Sequence, residues 1–138
     1  MQSEQVIGAV GISQMVVRPG DTALAHGSGD MPVLSSSFLL TLMESACNSS
    51  IAEFLDNADV SNLHRFALSI HDSVGIGAEL QASVTCVDLS DGLLRFECEV
   101  YEGHRLIASA VMERLVVERM SFLARIAAQA LISQHGVE

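Results

Sequence analysis

Apolar and polar residues alternate in the second half of the chain in a way that predicts β-strands. Every second residue is apolar from Leu80 to Cys86, and the same alternation returns from Arg95 to Tyr101. A period of two is typical of a strand with one buried face. Because Ser90-Asp91-Gly92 and Tyr101-Glu102-Gly103-His104 supply turn residues between these runs, we expect hairpins and an antiparallel meander. The last strand of this meander is predicted from about Leu106 to Glu118.

Helical patterns occur in two other segments. Ser35-Ser36-Ser37 offers N-capping hydroxyl groups before an apolar segment, which predicts a helix running to about Asn57. Its apolar side chains cover much of the helix circumference, so we expect this helix to be enclosed. A second, amphipathic helix is predicted at about residues 119–134.

The order of the predicted elements indicates an α+β fold. A Val- and Ile-rich segment from Val6 to Val17, ended by the turn sequence Arg18-Pro19-Gly20-Asp21, predicts a first strand. Strand, loop, enclosed helix and meander together predict an α+β pattern in which one helix lies against one curved antiparallel sheet. A chain of 138 residues without an internal repeat or linker is expected to form a single domain over residues 1–138.

Charge and composition narrow the range of partners. The formal net charge is -10, and all seven basic residues are arginines. Nucleic acid is therefore not an expected partner, and an anionic ligand would need local arginines. The first residues lack the basic region of a signal peptide, and no apolar stretch is long enough to cross a bilayer. We expect no membrane association and a cytoplasmic location.

The cysteines and histidines give no indication of a metal site. Cys47, Cys86 and Cys98 are odd in number and show no CxxC spacing, so we interpret them as small core residues. No two histidines have the i, i+4 spacing of a helical metal site. We therefore predict no metal.

Glu44 is the most unusual polar residue of the predicted central helix. It is the one charged side chain between Asp30 and Glu53, and apolar residues surround it in the sequence. A carboxylate removed from water either finds partners or takes up a proton, and such groups often serve as catalytic acids and bases. The alternative is that Glu44 lies on a solvent-facing stripe of the helix.

Four stretches of the chain resemble the hotdog-fold thioesterase family that includes fluoroacetyl-CoA thioesterase. The resemblance covers about residues 12–122, and Leu-Met-Glu-x-Ala-Cys is its most specific element. The four stretches are Val17-Arg18-Pro19-Gly20-Asp21-Thr22, Met31-Pro32-Val33-Leu34-Ser35-Ser36, Leu42-Met43-Glu44-Ser45-Ala46-Cys47 and Met112-Glu113-Arg114-Leu115-Val116-Val117. The resemblance implies a hotdog fold, in which a curved sheet wraps around one helix.

The resemblance also implies a reaction and a set of residues. Family members use a Thr, a Glu eight residues later and a downstream His; these positions hold Ser36, Glu44 and His71 here. The implied function is hydrolysis of a small acyl-CoA thioester, with coenzyme A as part of the substrate and no separate cofactor. The implied pocket lies at the interface of a homodimer or dimer of dimers. Its expected substrate-binding residues are Val33, Leu34, Ser35, His64 and Arg65, although the family usually has Gly-Thr at the last two positions.

The sequence leaves the individual roles open. His71 is the candidate general base, while Glu44 could orient it, activate water or attack the thioester, and Ser36 could attack, hold the carbonyl or only cap the helix. Two other functions remain as alternatives. One is a non-catalytic protein that binds acyl-CoA or an acyl carrier, and the other is a hotdog dehydratase or isomerase.

Overall fold

The computed structural model describes residues 5–135 and contains one five-stranded antiparallel sheet. The strand order is β1-β3-β4-β5-β2, so β1 and β2 form the two edges. The strands are β1 (Val10–Val16), β2 (Asp59–Ile70), β3 (Glu79–Ser90), β4 (Leu93–Glu102) and β5 (Arg105–Glu118). The helices are α1 (Ala23–His26), α2 (Ser36–Ile51) and α3 (Arg119–His135).

The predicted meander is confirmed. β3, β4 and β5 pair consecutively and antiparallel. Asp91 and Gly92 join β3 to β4 with φ angles of 51° and 79°. Two consecutive positive φ angles are required by the tight turn that best matches the twist of a hairpin, and Asp-Gly is a preferred sequence for it.

The sheet packs one face against α2, and we call this face the helix side and the opposite one the outer face. Alternate residues of the central strands are buried on the helix side, where they meet the apolar face of α2. The largest fully buried side chains in this core include Phe96, Met43, Ile51, Leu94, Ile107 and Met112. The predicted α+β arrangement is therefore confirmed. The expectation of an enclosed helix is not met in one protomer, because α2 buries one face only and Thr41, Ser45, Asn48 and Ser49 on its other face are exposed.

α2 approaches β1 very closely at Gly11. A Cβ atom placed on Gly11 would lie 2.0 Å from the carbonyl oxygen of Ala46 and 2.9 Å from Cβ of Ser50. Two residues further on, the Ser13 hydroxyl donates a hydrogen bond to the Leu42 carbonyl oxygen at 2.6 Å. The absence of a side chain at Gly11 thus allows the helix to lie against the edge strand.

Two predicted boundaries differ from the structure. The first strand begins at Val10 instead of Val6, because Gly8 adopts a φ of 92° and its N–H bonds the Cys86 carbonyl oxygen, which closes a turn before the strand. α2 ends at Ile51 instead of Asn57 and is followed by a single 3-10 turn, Ala52–Phe54. The C-terminal helix, predicted at about 119–134, is confirmed as α3.

β2 pairs only with β5 and contains one irregularity. The register shifts between Leu63, opposite Arg114, and Arg65, opposite Glu113, so that His64 is the extra residue of a β-bulge. Bulges change the direction of side chains and are frequent at sheet edges and near active sites. Across the described part of the chain, no helix is both long and apolar enough to span a bilayer.

Candidate active site

Glu44 forms an ion pair with Arg114 across the interface of α2 and β5. Nη1 of Arg114 donates a hydrogen bond to Oε2 of Glu44 at 2.6 Å. The Glu44 side chain retains 29% of its exposure and the Arg114 side chain only 6%. The carboxylate predicted to be functional is therefore neither isolated nor on a fully solvated stripe, because it lies half-buried against a buried guanidinium.

Arg114 is held in place by the first part of β2. Its Nε donates to the Ser61 hydroxyl at 2.7 Å, and its Nη2 donates to the Ser61 carbonyl oxygen at 3.1 Å. The Ser61 hydroxyl in turn donates to Oδ1 of Asn48 on α2 at 2.8 Å. A buried guanidinium needs its donors satisfied, and this network uses the planar group to connect β5, β2 and α2 around Glu44.

Three consecutive serines begin α2, and they differ in environment. Ser35 is buried, and its hydroxyl contacts the hydroxyls of Ser28 at 3.2 Å and Ser37 at 3.0 Å instead of capping the helix. Ser36 is exposed and is the first helical residue. Eight residues of α-helix rise about 12 Å, so Ser36 lies at the rim of the helix while Glu44 lies two turns deeper.

His71 follows the last residue of β2 and points to the outer face of the sheet. Its Nε2 lies 2.9 Å from the Ser109 hydroxyl. Ser109 alternates with the buried Ala108 and Ala110, so it faces away from α2, whereas Arg114 faces α2. Within one protomer the His71 ring and the Glu44 carboxylate therefore lie on opposite sides of the sheet.

The loop after His71 is nevertheless connected to the start of α2. The Leu34 N–H donates to the Val74 carbonyl oxygen at 2.9 Å, and Val33 and Gly75 form a β-bridge. Asp72, next to His71, forms an ion pair with Arg105. The structure thus brings the segment before Ser36 and the segment after His71 to the same end of the molecule.

The five expected substrate-binding residues occupy two separate places. Val33, Leu34 and Ser35 lie at the start of α2, where first-turn N–H groups can bind a negative charge or a polarised carbonyl oxygen. His64 is exposed at the bulge, and Arg65 is exposed on the outer face opposite Glu113. Within one protomer, His64 and Arg65 therefore do not lie beside Val33, Leu34 and Ser35.

Arg114 and its anchor Ser61 were not identified as site residues from the sequence. The available signal is the alternation of β5, in which Ala108, Ala110, Met112 and Arg114 all fall on the buried side. An arginine at a buried strand position requires an acidic partner, and Glu44 is the one acid on the facing helix.

The cysteines form part of the core. All three are buried, and the sulfur atoms of Cys47 and Cys98 are 4.0 Å apart, well beyond the length of a disulfide. The hydrogen bond with Cys98, followed by burial, raises the pKa of the Cys47 thiol. Within residues 5–135, no group of three or more His, Cys, Asp or Glu side chains is placed to bind a metal ion.

Comparisons with known proteins agree with this architecture. The model of the fluoroacetyl-CoA-specific thioesterase family matches residues 17–120. No curated protein sequence matches the chain.

Solved structures share the fold at low sequence identity. A threonine-to-serine variant of fluoroacetyl-CoA thioesterase in complex with acetyl-CoA is 20% identical, with a TM-score of 0.82 over 89% of this chain and 97% of that chain. A thioesterase superfamily member from Thermus thermophilus is 17% identical, with a TM-score of 0.85 over 93% and 95% of the two chains. A hot-dog-like protein from Thermanaerovibrio acidaminovorans is 17% identical, with a TM-score of 0.84 over 94% and 97%. The hotdog fold expected from the sequence is confirmed.

Proposed function

Because this chain belongs to the fluoroacetyl-CoA-specific thioesterase family, we propose that it hydrolyses small acyl-CoA thioesters at a site built around Glu44. The reaction adds water to the thioester and releases a carboxylic acid and the thiol of coenzyme A. The observation that carries the proposal is the ion pair of Glu44 with Arg114 on the central helix, in a chain that belongs to a thioesterase family.

The contacts of Glu44 suit a group that works on the attacking oxygen. In the described part of the chain, only Oε2 of Glu44 receives a hydrogen bond, and it comes from Arg114. The second oxygen, Oε1, is the one proposed to take a proton from water or to attack the thioester carbonyl carbon. Arg114 fixes the carboxylate, because its own position is set by Ser61 and Asn48.

Ser36 and His71 complete the proposed catalytic set. Ser36 and the first-turn N–H groups of α2 are proposed to bind the substrate at the rim of the helix, two turns away from Glu44. A threonine-to-serine variant of the solved relative is described in complex with acetyl-CoA, so a serine at the substituted position is compatible with acyl-CoA binding in that protein. His71 is proposed to transfer a proton to the departing thiolate.

The participation of His71 depends on its orientation. In one protomer its ring bonds Ser109 on the outer face, so reaching a thioester near Glu44 requires a new side-chain rotamer or donation to a second copy. We propose a homodimer joined along β2, because β2 is an edge strand and Ser61, which anchors Arg114, belongs to it. Val33, Leu34, Ser35, His64 and Arg65 remain the proposed substrate-binding residues.

The test is release of free coenzyme A from a panel of acyl-CoA esters, measured with Ellman's reagent. The buried cysteines of the protein are not expected to add to this signal. We expect turnover by the unmodified chain and a loss of at least about 100-fold in kcat for Glu44→Gln. Glu53→Gln, which changes an exposed acid just after α2, is the matched control and should retain full activity.

The same assay examines His71 and Ser36. His71→Ala is expected to lose about 100-fold or more in kcat, and Ser36→Ala about 10-fold or more, whereas His104→Ala should have no effect. Full activity of His71→Ala would remove that residue from the set and leave Glu44 as the only proposed base.

A non-catalytic function is the second candidate, because the His71 ring faces away from α2 within one protomer. Saturable binding of acyl-CoA by calorimetry, without release of coenzyme A from any ester, would support that function and contradict the first.

A further inference from the structure

The side chains of Asn48 on α2 and Ser61 on β2 meet next to the proposed catalytic carboxylate. The Ser61 hydroxyl donates a hydrogen bond to Oδ1 of Asn48 at 2.8 Å and accepts one from Nε of Arg114 at 2.7 Å. Nη1 of the same Arg114 holds Oε2 of Glu44. Asn48 and Ser61 thus connect the helix to the edge strand, and we call their hydrogen-bonded side chains the Asn48/Ser61 contact.

A cavity of about 410 Å³ lies beside this contact. Asn48 and Ser61 both line it, together with residues after α2 and at the start of β2, which include Ala52, Leu55, Asp59 and Val60. A volume of this size is typical of a pocket for a small ligand. The proposed function does not yet use this cavity.

The Asn48/Ser61 contact lies between Glu44 and the cavity. Glu44, Asn48 and Ala52 follow one another at intervals of four residues, so they lie along one side of the helical segment. Asn48 and Ala52 line the cavity and Glu44 does not. On β2, Ser61 lines the cavity, whereas Leu63, the next residue packed against the core, does not. The cavity therefore begins one helical turn beyond Glu44, on the far side of the contact.

The proposed site fixes the direction in which an acyl group extends. The start of α2 is proposed to bind the substrate at the rim, and Glu44 to act on the thioester two turns further along the helix. Because the coenzyme and the acyl group leave a thioester in opposite directions, the acyl group then points toward Asn48. Four residues of α-helix rise about 6 Å, so the space between Glu44 and the Asn48/Ser61 contact holds only a few carbon atoms.

A longer acyl group would have room only behind the contact. Ala52, Leu55 and Val60 provide apolar surface in the cavity, and such surface favours the binding of additional methylene groups. To reach it, the acyl group would have to separate Asn48 from Ser61, and their polar atoms would lose a hydrogen bond to an apolar chain. The contact therefore opposes long acyl groups by both its shape and its polarity.

We propose that the Asn48/Ser61 contact determines the length of the acyl group that the protein accepts, by separating Glu44 from the 410 Å³ cavity. The substrate class is then the coenzyme A thioesters of short-chain carboxylic acids. This inference rests on the proposed function, including the homodimer joined along β2 that would cover the exposed side of the contact. Asn48 is the residue to substitute, because it is exposed, whereas Ser61 also anchors Arg114.

The test compares kcat/KM for acetyl-, butyryl- and hexanoyl-CoA, measured by the release of coenzyme A. We expect the unmodified chain to prefer acetyl-CoA to hexanoyl-CoA, and Asn48→Ala to raise the hexanoyl-to-acetyl ratio of kcat/KM at least about 10-fold. A general loss of activity through Ser61 and Arg114 would lower all of these values alike and cancels in the ratio. An unchanged ratio in Asn48→Ala, or an unmodified chain that accepts hexanoyl-CoA as well as acetyl-CoA, would overturn the inference.

Two variants serve as controls for this ratio. Asn48→Asp keeps the size of the side chain and an oxygen that accepts the Ser61 hydrogen bond, so it should keep the ratio of the unmodified chain. Asn57→Ala changes a residue that lines the same cavity but takes no part in the Asn48/Ser61 contact, and it should also leave the ratio unchanged. An equal rise in Asn57→Ala would mean that any widening of the cavity has this effect, which contradicts the role of the contact.

Filling the cavity provides a second readout. Ala52 lies one turn beyond Asn48 and lines the cavity. Ala52→Phe combined with Asn48→Ala should return the hexanoyl-to-acetyl ratio toward that of the unmodified chain, whereas Ala52→Phe alone should leave it unchanged. A double variant that keeps the raised ratio would show that the longer chains extend elsewhere, and it would contradict the inference.

The outcomes separate this inference from the proposed function. Hydrolysis by the unmodified chain with an unchanged ratio in Asn48→Ala overturns the inference and leaves the proposed function standing. If no ester is hydrolysed, the proposed function fails, and dissociation constants of the same three esters, measured by calorimetry, give the ratio instead. A chain that neither hydrolyses nor binds any of these esters contradicts both.

Discussion

Arg114 is the buried member of its ion pair with Glu44, and this burial determines how much a substitution in the pair destabilises the protein. Arg114 is 6% exposed, whereas Glu44 keeps 29% of its side-chain exposure. Loss of the carboxylate therefore leaves a guanidinium with too little water around it. We expect Glu44→Gln to lower the free energy of unfolding by about 1–3 kcal/mol, measured by urea denaturation. If Glu44→Gln lowers the free energy of unfolding no more than Glu53→Gln does, the hydrogen bonds to Ser61 alone are enough to hold the buried guanidinium of Arg114.

A second prediction concerns Glu118, the residue before α3. Its carboxylate accepts hydrogen bonds from the Ser121 and Met120 N–H groups, and these bonds lower its pKa below the ordinary value of 4.5. Because the pKa is lowered in the folded state, this stabilisation is present above about pH 4.5 and is lost as the pH falls through the folded-state pKa. NMR titration of the Met120 and Ser121 amide shifts should therefore give a midpoint below 4.5. Glu118→Gln should remove this transition. A titration midpoint at or above pH 4.5 in the unmodified chain would contradict the hydrogen bonds from Met120 and Ser121 to Glu118.

The candidate site was predictable from the sequence only in part. Glu44 is conspicuous because a single acid interrupts an apolar helix. Its partner Arg114 is 70 residues away in the chain, and only the register of β5 brings it to the same place. The direction of the His71 side chain depends on the alternation of β2, which the His64 bulge interrupts. Neither register nor bulge is specified by residue type alone.

At the level of elements, the contact of α2 with β1 is the most sensitive to a small change. We expect Gly11→Ala to lower the free energy of unfolding by about 1–3 kcal/mol, because a Cβ there would lie 2.0 Å from a backbone oxygen of α2. Gly20→Ala is the matched control, since no atom lies within 4 Å of the added Cβ. Equal urea midpoints for the two variants would show that α2 can move away without cost.

The elements were mostly predictable, and the differences have local causes. The strands of the meander followed from alternation and the Asp91-Gly92 turn, since both signals act over a few residues. The end of α2 was predicted too late, because residues 52–54 keep a helical pattern but tighten into a 3-10 turn. Apolar periodicity does not distinguish these two kinds of turn.

At the scale of the whole molecule, the free edge of β2 predicts that stability depends on protein concentration. Association of folded chains stabilises them by mass action. We expect the melting temperature to rise by several degrees between about 1 and 100 μM, measured by differential scanning calorimetry. A melting temperature independent of concentration would indicate a stable monomer or a dimer that does not dissociate in this range.

The strand order has a consequence for synthesis on the ribosome. β2 (Asp59–Ile70) finds its only partner within the chain in β5 (Arg105–Glu118), and β1 finds its partner in β3 (Glu79–Ser90). The nascent chain therefore emerges with its central helix and two strands unpaired until the meander has been translated. A translational pause before codon 105 would prolong the lifetime of an aggregation-prone intermediate, and a ribosome-associated chaperone would then be most needed there.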